Sequence, residues 1–175
     1  MITVVAVTGI KAQETYEAVE QTQRTIPHQT RKHIILQPGM TLDDYSRFIV
    51  KELNKEIQTE FALVCQWDGF GRNVELWDDA FLEYDYVGAP WFQGETGNGG
   101  LSLRSKRFLE ASAALPDPFC AEDAYLCQYK RKELESLGLK FAPIDVALRF
   151  SFEHPVDGIP WNRHDSWGMH GAHNL

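Results

Sequence analysis

Two runs of the chain constrain its fold more than any others. Ile2 to Val7 (ITVVAV) is β-branched and apolar almost throughout, and Phe61 to Gln66 (FALVCQ) is similar. Neither alternates with polar residues, so each reads as a strand covered on both faces, as in the interior of a parallel sheet. Between them, residues 12–25 carry Tyr16, Val19 and Ile26 at helical spacing, and Pro27 closes that helix. His33 to Leu36 (HIIL) gives a second strand, stopped by Pro38-Gly39. Thr41 and Asp44 have the spacing of a capping box, and Leu42, Tyr45, Ile49, Leu53 and Ile57 then form one apolar stripe, which predicts a helix over 42–58. Strand, helix, strand, helix, strand predicts an α/β fold with a mainly parallel sheet flanked by helices. Ligands of such sheets sit outside the carboxyl ends of the strands. Thr8-Gly9 and Asp68-Gly69 both occupy such ends.

The second half is less regular. Residues 74–93 are rich in aromatics and acids, and a glycine loop, GETGNGG, follows at 94–100. LSLRS reads as a strand, 105–114 and 122–137 as helices, and Phe141 to Ile144 as a short strand. The tail, WNRHDSWGMHGAHNL, has histidines in no apolar pattern, and residues 160–175 are placed to close a site.

A chain of 175 residues with 43% hydrophobic content is expected to form one domain over 1–175 and to bury a real core. Its formal net charge of −8 makes nucleic acid an unlikely partner. Cys65, Cys120 and Cys127 are odd in number and spaced like neither a disulfide framework nor a zinc knuckle, so buried free thiols in a reducing compartment are expected. No apolar run approaches the roughly 18 residues of a membrane span, and no basic leader precedes ITVVAVTG. A cytoplasmic location is the expectation.

Four features bear chemistry, and each has a plain structural reading beside it. Asp68 ends a buried strand where a cation can reach it, or else caps local amides in the turn before Gly69. Gly97, Asn98, Gly99 and Gly100 permit positive φ and close approach of backbone to a ligand, or form a hairpin turn. Glu122 and Asp123 supply a carboxylate base, or favour a helix N-terminus. Of His154, His164, His170 and His173, only His170 lies among small residues (GMHG) that let it reach a site, the others reading as a solvated tail.

The order of these features resembles that of the GT-A-type nucleotide-sugar glycosyltransferases. QWDGF, YDYVGAPW, GNGGLSLRS, AEDAYLC, APIDVALRFSFE and WGMHG, over residues 61–171, are similar to a small glycosyltransferase-like domain family. The resemblance implies a GT-A-like, Rossmann-like fold. It also implies a metal-dependent glycosyltransferase that moves a sugar from a nucleoside-diphosphate-sugar donor to a hydroxyl on a glycan, a lipid-linked sugar or a protein. By the same resemblance Asp68 and His170 hold a divalent metal, manganese or magnesium. Asn98, Gly99 and Gly100 line the sugar pocket, Glu122 and Asp123 supply the base or an acceptor contact, and Thr8 and Gly9 meet the nucleoside. Gln66 departs from the pattern, standing where the first acid of an Asp-x-Asp motif is usual. Two other readings stay open: a glycan- or nucleotide-binding module without turnover, and a metal-dependent hydrolase on the same acids and histidines.

Overall fold

The computed structural model describes all residues 1–175. In chain order the elements are β1 (Ile2–Thr8), α1 (Ala12–Arg24), β2 (Thr30–Leu36), α2 (Leu42–Lys51), α3 (Leu53–Glu56), β3 (Phe61–Cys65) and β4 (Gly69–Gly71). There follow β5 (Tyr86–Gly88), β6 (Leu101–Ser105), α4 (Lys106–Ala114), α5 (Glu122–Ala124), α6 (Arg131–Ser136), α7 (Ile144–Phe150), β7 (Ser151–Phe152) and β8 (Gly168–His170).

Five strands form the main sheet in the order β2-β1-β3-β6-β5. β1 lies at its heart, parallel to β2 and to β3, as the alternation of strand and helix predicts. Its residues alternate between two cores. Ile2, Val4 and Ala6 face a cluster with Val19 of α1, Val146 and Phe150 of α7, and Trp167. Val5 and Val7 face Ile49, Leu53, Ile57 and Leu109 on the other side. Each such aliphatic side chain contributes about 1.5–3 kcal/mol by leaving water, so a strand apolar on both faces is held between two helical layers.

The sheet is mixed, which corrects the expectation of a mainly parallel one. β6 runs antiparallel to β3, and β5 antiparallel to β6. A parallel neighbour needs a crossover, usually a helix. No helix joins β5 to β6, only the loop over 89–100, so β6 turns back along β5 and runs against β3. The reversal has a consequence for function. Cys65 pairs with Leu101, so the glycine loop before β6 lies at the carboxyl end of β3, beside Asp68.

A second sheet, ordered β4-β8-β7, has its central strand from the tail. β8 is its centre, and Gly69 of β4 pairs with His170. The GMHG segment is therefore a strand facing the turn after β3.

Three further expectations, two helical and one of a strand, change in detail. The 42–58 helix breaks at Glu52 into α2 and α3, although Ile49, Leu53 and Ile57 still share one buried face and the Thr41–Asp44 capping box is present. The 122–137 segment is α5, a π-helical turn at Tyr125–Tyr129, and α6. Of 141–144, only Phe141 bridges to a strand, at Tyr86, and Ile144 opens α7 after Pro143. All three cysteines are free, Cys65 and Cys127 buried and Cys120 half-buried. No helix is long and apolar enough to cross a membrane.

Candidate active site

β3 ends in a tight reversal. Gln66 N–H donates to Gly69 O at 3.2 Å and Gly69 N–H to Gln66 O at 3.0 Å, so Trp67 and Asp68 form the tip. The Asp68 backbone carbonyl accepts from Gly171 N–H at 2.9 Å, tying the turn to the tail strand. Asp68 does not cap its own turn: its Oδ1 is buried and accepts no hydrogen bond. A buried carboxylate oxygen without a partner is costly, so it marks a place where something else belongs.

What faces that oxygen is His170. Nε2 of the ring lies 3.7 Å from Asp68 Oδ1 and 3.3 Å from Gln66 Oε1. The Gln66 amide nitrogen donates to Tyr45 Oη at 3.0 Å, which turns its oxygen toward the ring. The opposite ring nitrogen, Nδ1, lies 3.1 Å from Glu153 Oε1. Burial pushes the Glu153 carboxyl up, but the hydrogen bond from His170 and the charges of His170, His154 and His173 outweigh it and hold Glu153 below the usual carboxylate range. An ionised Glu153 can only accept, so Nδ1 carries a proton, and it is the neutral form of the ring that presents a lone pair at Nε2. Three electron-pair donors then converge: Nε2 of His170, Oε1 of Gln66 and Oδ1 of Asp68. They call for a proton or a cation between them.

The glycine loop makes room for this cluster. A Cβ on Gly100 would stand 2.0 Å from His170 Nε2, and one on Gly69 would stand 2.8 Å from His170 Cδ2. A Cβ on Gly99 would stand 2.0 Å from Glu122 Oε1. None of Gly97, Gly99 and Gly100 has a positive φ. Their value is close contact, and the space they leave holds the protein's own side chains. Asn98 ties the loop down: its amide nitrogen donates to Glu153 Oε2, and its Oδ1 accepts from Gly100 N–H at 3.0 Å.

Glu122 and Asp123 point to different tasks. Arg104 Nη2 donates to Glu122 Oε1 at 2.9 Å, and the two side chains are 0% and 5% exposed. Burial pushes the Glu122 carboxyl up, and the adjacent Arg104 charge offsets only part of that. Asp123 is half-buried. Its Oδ2 accepts from Gly99 N–H at 3.3 Å and its Oδ1 from Ala124 N–H at 2.7 Å.

Thr8 and Gly9 line a cleft of about 250 Å³ whose walls include Val7, Met40, Tyr45, Gln66 and Trp67. It opens at the carboxyl ends of β1 and β3 and shares Gln66 with the His170 cluster.

The fold thus gathers Asp68, Asn98, Gly100 and His170 in one contact network, sets Gly99, Glu122 and Asp123 against it, and places Thr8 and Gly9 on the adjoining cleft. His154 and His173 stack on each other with centroids 4.6 Å apart, and His164 is exposed. Sequence reasoning missed Glu153, Tyr45 and Arg104 as site residues. Glu153 ends the quoted stretch APIDVALRFSFE, and an acid after an apolar run is the same signal that singles out Asp68.

No curated protein sequence matches this chain. Solved structures do. A glycosyltransferase involved in the glycosylation of the major capsid of PBCV-1 superposes with a TM-score of 0.63 at 18% identity, over 97% of this chain and 92% of that one. The galactosyltransferase LgtC, in complex with donor and acceptor sugar analogs, gives a TM-score of 0.54 at 13% identity, over 98% of this chain and 87% of that one. At such identities the likeness is one of fold, and the fold is glycosyltransferase-like. Residues 14–170 match the model of the family described as "Protein of unknown function (DUF5672)", and the chain belongs to that family.

Proposed function

We propose that this protein is a metal-dependent glycosyltransferase that takes a nucleoside-diphosphate-sugar as donor and a hydroxyl group as acceptor. The observation that carries the reading is the buried, partnerless Asp68 Oδ1 facing His170 Nε2 and Gln66 Oε1 at the carboxyl end of β3. These groups suit a divalent ion such as manganese or magnesium. No three His, Cys, Asp or Glu side chains form a metal-binding group; an ion held by Asp68, His170 and the neutral Gln66 amide would need donor phosphate oxygens or water to complete its shell. Such an ion, when bound, neutralises charge on the leaving diphosphate.

The remaining steps fall to this chain's own residues. The cleft at Thr8 and Gly9 takes the nucleoside, and sharing Gln66 with the His170 cluster directs the phosphates toward Asp68. Glu153 holds the His170 ring with its Nε2 lone pair inward. Asp123, on the half-buried side of the glycine loop, accepts the proton of the acceptor hydroxyl. Glu122 is engaged by Arg104 and positions that loop from beneath. A glycan, a lipid-linked sugar or a protein side chain would each supply the hydroxyl.

The test is nucleotide release from a panel of UDP- and GDP-sugars, with manganese and with EDTA. The reading predicts metal-dependent release, lost in Asp68→Ala. Folded protein that releases no nucleotide from any donor under either condition would refute it.

A further inference from the structure

The donor cleft carries no charged side chain on its walls, and the chain as a whole is strongly acidic. A phosphate-bearing ligand there needs a local cation. Lys11 stands beside it, in the loop between Thr8 and α1. Its Nζ lies 3.2 Å from the centroid of the Trp67 ring, and Trp67 is both a wall of the cleft and the neighbour of Asp68.

Two features separate Lys11 from an ordinary surface lysine. Its backbone is left-handed, with φ 47 and ψ 49, and it is the one non-glycine residue of the chain with positive φ. A lysine there costs free energy relative to glycine, and strained positions that persist concentrate at binding sites. The strain is fixed locally: Thr8 Oγ1 donates to Ile10 O at 2.5 Å and accepts from Ile10 N–H at 3.2 Å, and a Cβ on Gly9 would stand 2.7 Å from Gln37 O. Second, its charge is unspent. Lys32, Lys51, Lys55, Lys106 and Lys130 pair with carboxylates; Lys11, Lys132 and Lys140 do not, and of these three Lys11 alone stands at the cleft, on an aromatic face that holds an ammonium in place without cancelling its charge.

We infer that Lys11 is the phosphate-binding cation of the cleft, gripping the diphosphate of a nucleoside diphosphate between the Trp67 face and the Asp68 side of the turn. This rests on the donor reading above and deepens it by naming a contact independent of metal.

The experiment is calorimetric titration of the full chain, in EDTA, with UDP against uridine and GDP against guanosine. Wild type is expected to prefer a diphosphate over its nucleoside by roughly tenfold, the scale of one charge-assisted contact. Lys11→Ala should erase that preference without weakening nucleoside binding, and Lys11→Arg should keep most of it. Lys11→Gly suits the left-handed backbone, so equal loss in that variant with an unchanged or raised Tm excludes disruption of the loop. A diphosphate preference unchanged in Lys11→Ala and Lys11→Gly overturns the role of Lys11 while leaving the donor cleft intact. A wild type that binds neither nucleosides nor diphosphates, with or without manganese, overturns the donor reading and Lys11 with it.

Discussion

His170 donates from Nδ1 to Glu153 Oε1 across 3.1 Å, and that hydrogen bond fixes what its other nitrogen presents to Asp68. A carboxylate behind a metal-binding imidazole sets its tautomer and raises its basicity, and losing one costs roughly 10–100-fold in metal affinity. Glu153→Gln is expected to weaken manganese binding by that factor, measured by calorimetry or by the spectrum of free manganese. Far-UV dichroism should be unchanged, because the substituted side chain still carries an oxygen to accept from Asn98.

Metal binding should also depend on pH. The Nε2 lone pair is available only while the ring holds a single proton, so protons compete with the metal. Manganese affinity is expected to fall as pH is lowered from neutral into the acid range. An affinity flat over that range would show that His170 is not a ligand.

Gly100 and His170 are in such contact that a methyl group at Gly100 displaces the ring: a Cβ there meets Nε2 at 2.0 Å. Gly100→Ala should therefore act as a His170 variant. We expect at least a roughly tenfold loss of manganese affinity, the scale of a displaced ligand shell. Wild-type metal affinity in Gly100→Ala would contradict the role of Nε2.

Glu122 and Asp123 are neighbours in sequence with opposite expected phenotypes. Glu122→Ala leaves the fully buried Arg104 charge unpaired, and breaking such a pair costs about 3–5 kcal/mol. Its deficit should appear in urea unfolding. Asp123→Asn keeps one acceptor oxygen, for Gly99 N–H or for Ala124 N–H but not both, and should cost about 1 kcal/mol of stability. It should slow sugar transfer by about 10²-fold or more, the usual contribution of a positioned base. A fully active Asp123→Asn would remove it from the reaction.

At the far end of the sheet, Asp85 accepts from Ser105 Oγ at 2.6 Å, from Arg107 and from Lys140 N–H. Burial pushes its carboxyl up, yet the Arg107 and Ser105 bonds and the Lys140 amide hold it below its ordinary value. A depressed carboxyl contributes stability that is present above its unfolded value, about 3.9, and is lost as pH falls through the folded one. Asp85→Asn should be less stable than wild type at pH 7, by about 2 kcal/mol. The difference should shrink as both are taken to about pH 2, which unfolding curves at the two pH values will show.

The half of the fold with regular periods is legible in the sequence. β1, α1, β2 and β3 follow from apolar runs and helical spacing, and Thr41 and Asp44 announce the start of α2 as the structure has it. The direction of β6 is not legible, because LSLRS reads alike in either orientation and only the missing crossover helix makes it run back along β3. The start of α7 is hidden because Phe141 to Ile144 is short and apolar, and a buried helix of seven residues carries too few turns to show its period. At the site, position along the chain singles out Asp68 and His170 separately, and the sheet β4-β8-β7 supplies their proximity. In the sequence Gln66 is a departure from an acidic pattern. Its contribution, a carbonyl oxygen aimed at His170, depends on the Tyr45 hydroxyl that α2 presents to its amide, a contact that spacing along the chain does not encode.

The most direct test of the account is titration of UDP and GDP into wild type and Asp68→Ala, each with manganese and with EDTA. If Asp68, Gln66 and His170 hold a metal that in turn holds the donor diphosphate, manganese will tighten binding of at least one nucleotide to wild type, and Asp68→Ala will abolish that gain while keeping its fold. Nucleotide affinity that is the same with manganese and with EDTA, and the same in Asp68→Ala, would contradict the metal-held donor site.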